Sequence, residues 1–251
     1  MPASDPNPDS GSRNVGRFHT THWSVVLAAG QRESPQAADA LERLCRAYWY
    51  PLYAYVRRCG YDVPDAQDLT QTFFARLLER NLLAGVKPVG GKFRSFLLTA
   101  LKNFLAHEWE KARAAKRGGG AAVFSLDELN SEGRYALEPA DAITPDVLFE
   151  RRWAEMVLDQ ALERLRQEHV AAGKQTLFDV LVNCLTGAER SQSHAALAEG
   201  LGMTEDAIKM AVHRMRKRYA ALLRQEVAQT VSSPEEIDEE LRALLAAVAA
   251  R

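Results

Sequence analysis

An apolar repeat of about 3.6 residues runs through most of this chain, as is typical of amphipathic helices. In residues 35–60, "PQAADALERLCRAYWYPLYAYVRRCG", the repeat falls on Leu41, Leu44, Tyr48, Leu52, Tyr55 and Val56. The period-two alternation that marks half-buried strands is almost absent. We therefore predict an all-α fold. With 47% hydrophobic residues, a chain of 251 can bury one large core or two small ones.

Composition separates the chain into five segments. Residues 1–17 are polar and are predicted to be disordered, and residues 118–145 carry the glycines, prolines and acids of a linker. Two helical domains are predicted at 18–117 and 146–224, followed by a C-terminal helical extension at 225–251. The predicted fold class is two small helical domains joined by an acidic linker.

The C-terminal extension has its own helix signals. Ser233 precedes Pro234 and two acidic residues, which is a good helix start. An apolar stripe follows at Ile237, Leu241, Leu244, Leu245 and Val248. Two interpretations stay open: a helix that packs back on the second domain, and a regulatory clasp or partner-docking helix.

The net charge of -1 hides two basic segments. Residues 87–117 contain eight Lys and Arg residues against two Glu, and residues 209–224 contain six with no acidic residue. Two basic segments separated by acidic stretches indicate two contacts with a polyanion such as nucleic acid. The alternative is that both are ordinary solvated helix faces.

The second basic segment belongs to a helix-turn-helix pattern, "SHAALAEGLGMTEDAIKMAVHRMRKRY". A short helix ends near Gly200 and Gly202, and Thr204 is placed to cap the next helix. Ile208, Met215 and other apolar residues form the buried stripe of that helix. The candidate DNA-facing residues are Thr204, Glu205, Lys209, His213, Arg214, Arg216 and Lys217.

Two readings of this pattern stay open. The helix pair is either a DNA-binding unit or a helical-bundle corner with a solvated basic face. His213 is either a DNA contact or a packing residue.

Catalytic and metal-binding signatures are missing from the sequence. There is no P-loop, HExxH or GxSxG, and Cys45, Cys59 and Cys184 are scattered without metal-ligand spacing. We therefore predict neither an enzyme nor a cofactor or metal. No apolar run is long enough for a membrane span and the polar start is no signal peptide, so we expect a cytoplasmic protein without membrane contact.

Three stretches together resemble one known family. They are "ALERLCRAYWYPLYAYVRRCGYDVPDAQDLTQTFFARLLER", "FRSFLLTALKNFLAHEWEKARAAKR" and the helix-turn-helix end "KMAVHRMRKRYAALL". Their order and spacing resemble the bacterial RNA polymerase sigma factors of the sigma-70 family, and the two-domain layout resembles the extracytoplasmic-function (ECF) group. The similarity covers roughly residues 37–117 and 150–224.

The resemblance implies a subunit that gives promoter specificity to core RNA polymerase. The first domain would dock on the clamp helices of the largest subunit and open the minus-ten element. The second would read the minus-thirty-five element near the polymerase flap. An anti-sigma protein and a Ser/Thr kinase are further candidate partners. The alternative function is a free-standing helix-turn-helix DNA-binding transcription regulator whose first unit dimerises or senses a ligand.

The resemblance also assigns minus-ten DNA contacts on the third predicted helix. Asn103 falls at the family's Asn position, whereas His107 stands where the family commonly has Asp. Trp109 is either a packing residue or a platform for an unstacked base. The assigned residues are Lys102, Asn103, His107, Arg113, Lys116 and Arg117.

A polymerase-binding edge is implied at "DAQDLTQTFFARLL", residues 65–78. The family commonly has "DAEDLVQE" there, so Gln67 and Thr72 stand where two Glu are expected. Phosphorylation of Thr72, or of Thr70, would restore negative charge. The core polymerase-binding residues are Asp65, Asp68, Gln71 and Thr72.

Overall fold

All regular structure in the described part of the chain is helical, which confirms the all-α prediction. The computed structural model describes residues 26, 35–79, 83, 92–114, 135–136, 143–185, 193–231 and 233–249. The predicted disordered start and most of the predicted linker lie outside these residues.

The helices follow one another in short steps along the described chain. They are α1 (Pro35–Arg58), α2 (Val63–Glu79), α3 (Phe93–Ala114), α4 (Pro145–Ala171), α5 (Gln175–Leu181), α6 (His194–Leu201), α7 (Glu205–Ala228) and α8 (Ile237–Ala249). Short 3-10 turns at Val182–Cys184 and Pro234–Glu236 follow α5 and precede α8.

Aromatic side chains hold α1, α2 and α3 together. Helix α1 runs unbroken through Pro51 and buries its apolar face. Trp49 stacks on Phe74 of α2 with ring centroids 5.9 Å apart, and Tyr48 meets the edge of Phe93 of α3 at 5.7 Å. These contacts fix the directions in which the polar faces of α2 and α3 point.

Helix α4 is the centre of the fold. The hydroxyl of Thr144 accepts a hydrogen bond from the Val147 amide at 3.4 Å, and Pro145 occupies the first turn. Its buried residues include Phe149 and Trp153. The helix packs against α1, α7 and α8.

One apolar core therefore runs from α1 through α4 to α7. The sequence suggested two separate cores, because a glycine- and acid-rich stretch interrupts the helical pattern. The described residues do not confirm that separation, since α4 contacts helices from both halves.

The C-terminal extension forms a helix, as its sequence predicts. Ser233 and Glu236 make reciprocal capping contacts at its start. Helix α8 packs on α4 and α7 and buries Leu244 completely. In the described part of the chain, no helix has the length and apolar character needed to cross a bilayer.

Candidate nucleic-acid interface

The corner between α6 and α7 has the geometry of a tight helix-turn-helix. Gly202 ends α6 in the left-handed conformation, with φ of 62°, and the next amide, of Met203, donates to the Ala198 carbonyl at 3.0 Å. Thr204 then caps α7, since its hydroxyl accepts from the Ala207 amide at 3.2 Å. The predicted glycine corner and threonine cap are both confirmed.

Helix α7 divides into a buried face and an exposed face. Ile208, Val212 and Met215 are buried in the core, as the apolar repeat predicts. The opposite face carries the candidate DNA contacts. It also presents Met210, a large apolar side chain that is 54% exposed.

Two arginines in the middle of α7 are held by the protein itself. Arg216 donates from Nε and Nη2 to the Cys184 carbonyl at 3.3 and 2.7 Å, which ties α7 to the turn after α5. Arg218 makes a bidentate pair with Glu168 of α4 at 2.7 and 2.5 Å. Its hydrogen bond lowers the pKa of the Glu168 carboxyl. These side chains anchor the helix.

Lys209 is paired with Glu205 one turn earlier, at 2.9 Å. This hydrogen bond raises the pKa of Lys209 and lowers that of Glu205. Both side chains are about half exposed. Because such exposed pairs contribute little to stability, a phosphate or base edge can replace Glu205 as the partner of Lys209 at small cost.

Three candidate contacts stand outward without an ion pair to any described residue: His213, Arg214 and Lys217. All three are exposed. The packing interpretation of His213 therefore does not fit its position. One face of α7 thus presents two available cations and a histidine around Met210, which is the composition of a surface that contacts phosphates and base edges.

The polar face of α3 carries some of the residues that the family resemblance assigns to minus-ten DNA contacts. Lys102, Asn103 and His107 are all exposed, and Trp109 has 54% of its surface exposed. Lys102 forms an ion pair with Asp146 at the start of α4. Sequence patterns give no sign of that pairing, since the two residues are 44 positions apart.

Helix α3 includes Arg113, whereas Lys116 and Arg117 lie outside the described residues. The described polar face is mixed in charge, because Glu108 pairs with Arg76 of α2 at 2.6 Å and with Lys111 at 3.4 Å. These pairs lower the pKa of the Glu108 carboxyl, against the opposing effect of desolvation. The Arg76 pairing was not anticipated from the sequence.

The polar edge of α2 is largely exposed. Asp65, Asp68 and Thr72 are exposed, and Gln71 is half-buried. Thr70 is different: it is 0% exposed, and its hydroxyl donates to the Ala66 carbonyl at 2.7 Å. Thr72 is therefore the accessible threonine of the two.

No group of three or more His, Cys, Asp and Glu within the described ranges could hold a metal ion. The three cysteines are free thiols, of which Cys59 is exposed and Cys184 buried. Burial raises the pKa of Cys45 to about 11.

No protein-family model, curated protein or solved structure matches the chain.

Proposed function

We propose that this chain is a sigma factor of the extracytoplasmic-function type, which binds core RNA polymerase and directs promoter recognition and transcription initiation in the cytoplasm. The observation that carries the proposal is the capped helix-turn-helix at 193–228, whose second helix presents available cations on the face opposite the core. Neither an enzyme activity nor a cofactor is part of the proposal.

The helix-turn-helix would read the minus-thirty-five element. In this motif the second helix lies in the major groove, and its N-terminal residues contact base edges. Thr204, Glu205 and Lys209 stand at that end of α7. Arg214 and Lys217 lie further along the exposed face, where they would bind phosphates and fix the register.

Helices α1 to α3 would form the unit that opens the minus-ten element, joined to the second unit by the acidic linker. Exposed bases of a single strand need a cationic track and an aromatic surface for stacking. Lys102, Asn103 and His107 supply polar groups on α3, and the exposed ring of Trp109 lies two residues beyond His107.

The exposed edge of α2 would dock on the polymerase clamp helices. Asp65 and Asp68 supply negative charge, and Thr72 is the site where phosphorylation would add about -1.5 to -2 more. Thr70 is a poor substrate for a kinase because its hydroxyl is buried and hydrogen-bonded.

The proposal is tested by adding the purified chain to bacterial core RNA polymerase. Co-elution in gel filtration measures core binding, and run-off transcripts from the organism's genomic fragments measure promoter use. The double variant Arg214→Glu/Lys217→Glu should lose the transcripts and keep core binding. A matched control, Arg166→Glu/Lys174→Glu, reverses two exposed cations outside α7 and should keep both.

Failure of the chain to bind core polymerase would overturn the proposal. Specific DNA binding without any core binding would instead favour the free-standing regulator. Loss of core binding in the Arg214→Glu/Lys217→Glu variant would show that these residues are needed for more than promoter recognition, and would contradict their assigned role.

A further inference from the structure

A carboxylate of the C-terminal helix is completely buried against cations from the middle of the chain. Glu240 of α8 is 0% exposed. One of its oxygens lies 2.5 Å from Lys92 Nζ, and the other forms an ion pair with Arg94. Lys92 and Arg94 stand at the start of α3, so this contact joins α8 to the α1–α3 unit.

Arg94 connects the same cluster to α4. Its side chain is 6% exposed, and its Nε donates to Glu150 at 2.6 Å. The guanidinium carbon also lies 3.8 Å from the ring centroid of Trp153, a cation–π contact. One arginine therefore contacts α4 and α8 at once, while its own backbone belongs to α3.

Such a cluster is better explained by specificity than by stability. Removing charges from water is costly, and a buried ion pair seldom repays more than that cost. Burial indeed lowers the pKa of Lys92. What a buried network does achieve is to favour one compact packing arrangement, because any other compact packing of α8 would bury Glu240 or Arg94 without a partner.

Helix α8 is attached to the second unit as well. Arg224 of α7 pairs with Asp238, and Leu244 is fully buried. Helix α8 thus contacts α4, α7 and the start of α3. It bridges the two units to which the proposed function gives separate DNA elements.

With α8 in place, the two basic faces lie closer together than the two promoter elements do. Elements centred about 25 base pairs apart are separated by about 85 Å, at 34–36 Å per turn of about ten base pairs. Helix α4 rises about 33 Å from Asp146, the partner of Lys102, to Glu168, the partner of Arg218. Even with the side chains and the first half of α7 added, the two basic faces lie within about 70 Å.

We propose that α8 is an autoinhibitory clasp, in which Glu240 binds Lys92 and Arg94 and so keeps the α1–α3 unit packed against α4. In this closed form Lys102 is occupied by Asp146, and the two DNA-binding faces cannot reach both promoter elements. Release of α8 removes these ion pairs, and the first unit then separates from α4 at the apolar contact that α1 makes with it. The role of the clasp rests on the proposed function, whereas the closed form itself does not.

The test measures one distance in the full chain without polymerase or DNA. Spin labels are attached at Ala75→Cys on α2 and Ala220→Cys on α7, both exposed alanines, with the exposed Cys59 replaced by serine. Double electron–electron resonance then gives the distance distribution. The parent chain should show a single short distance, with any open form a minority of about 10% or less.

Glu240→Lys should convert most molecules to a longer distance, so that the open form becomes the majority. The matched control is Glu239→Lys, which makes the same charge change one residue earlier on a side chain that is 70% exposed and 3.9 Å from Lys92. It should keep the short distance. Lys92→Glu should open the chain as well, and the charge swap Lys92→Glu/Glu240→Lys should close it again.

Circular dichroism shows whether each variant keeps its helices. If Glu240→Lys loses helix content, Lys92→Glu decides, because Lys92 lies at the edge of the cluster and is already 27% exposed. An unchanged short distance in a folded Glu240→Lys or Lys92→Glu variant would overturn the clasp. A chain that opens as expected but never binds core polymerase would overturn the proposed function and leave the intramolecular contact in place.

Discussion

The number of phosphates bound by α7 follows from which of its cations the fold already uses. Residues 209–224 contain six basic residues. If each of them bound one phosphate, the slope of log Kd against log salt would be about five to six, at about 0.9 per phosphate. Arg218 and Arg224 are paired with carboxylates of the protein, and Arg216 keeps its charge but is directed toward the Cys184 carbonyl. Lys209 forms an exposed ion pair with Glu205.

Arg214 and Lys217 are left as the available cations, so Arg214→Ala/Lys217→Ala should reduce the slope of log Kd against log salt by about 1.8. Between 50 and 200 mM salt, the affinity of the parent chain should then fall about twelvefold more than the affinity of the variant. Substituting residues that are already paired should change the slope far less.

The assay is fluorescence anisotropy with a labelled DNA duplex, repeated at several salt concentrations. The control is Arg218→Ala, which removes the same charge from the same helix but from a residue bound to Glu168. It should lower the thermal stability and change the slope by less than about 0.5. An unchanged slope in the double variant, or a change of about 0.9 in Arg218→Ala, which is the value for one unpaired cation, would refute this account of the α7 surface.

Three further predictions concern the corner, a partly buried thiol and the edge of α2. Gly202→Ala should lower the free energy of unfolding by about 1–2 kcal/mol because Gly202 has a positive φ. The control Gly200→Ala, within helix α6, should raise it by about 0.5 kcal/mol. Equal effects of the two substitutions in urea unfolding would contradict the cap geometry. Cys45, with a pKa of about 11, should be alkylated at pH 8 roughly two-hundredfold more slowly than free cysteine, and the rate should rise as the pH increases toward 11 because the thiolate forms only there. Thr72→Glu should tighten core polymerase binding by about twofold to fivefold, the range expected of an exposed charge pair; Thr70→Glu should instead destabilise the fold, and an unchanged Kd for Thr72→Glu would count against the charge argument.

Much of the local structure was predictable because its causes lie within a few residues. Thr204 caps α7 through a hydrogen bond that spans three positions, and Gly202 supplies a backbone conformation that other residues adopt only with strain. The helical repeat likewise places Ile208 and Met215 on one face and Arg214 and Lys217 on another. These local rules located the candidate DNA-facing helix.

The availability of each charge could not be predicted in the same way. Arg214 and Arg218 stand one turn apart and look equivalent in the sequence, yet one is exposed without an ion pair to a described residue and the other binds Glu168, 50 residues away. Thr70 and Thr72, by contrast, differ already in the helical repeat. Thr70 lies three, four and seven residues before Phe73, Phe74 and Leu77 on the buried face of α2, and Thr72 lies off that face.

Residues 233–249 combine both kinds of information. Their own sequence encodes a capped, amphipathic helix, because capping and the 3.6-residue repeat depend only on near neighbours in the chain. The burial of Glu240 between Lys92 and Arg94 depends on α3, α4 and α8 meeting at one point. A contact of that kind depends on how distant helices pack, which no local periodicity specifies. The sequence alone would therefore place Glu240 on a solvated helix face, whereas in the fold it is the centre of the proposed clasp.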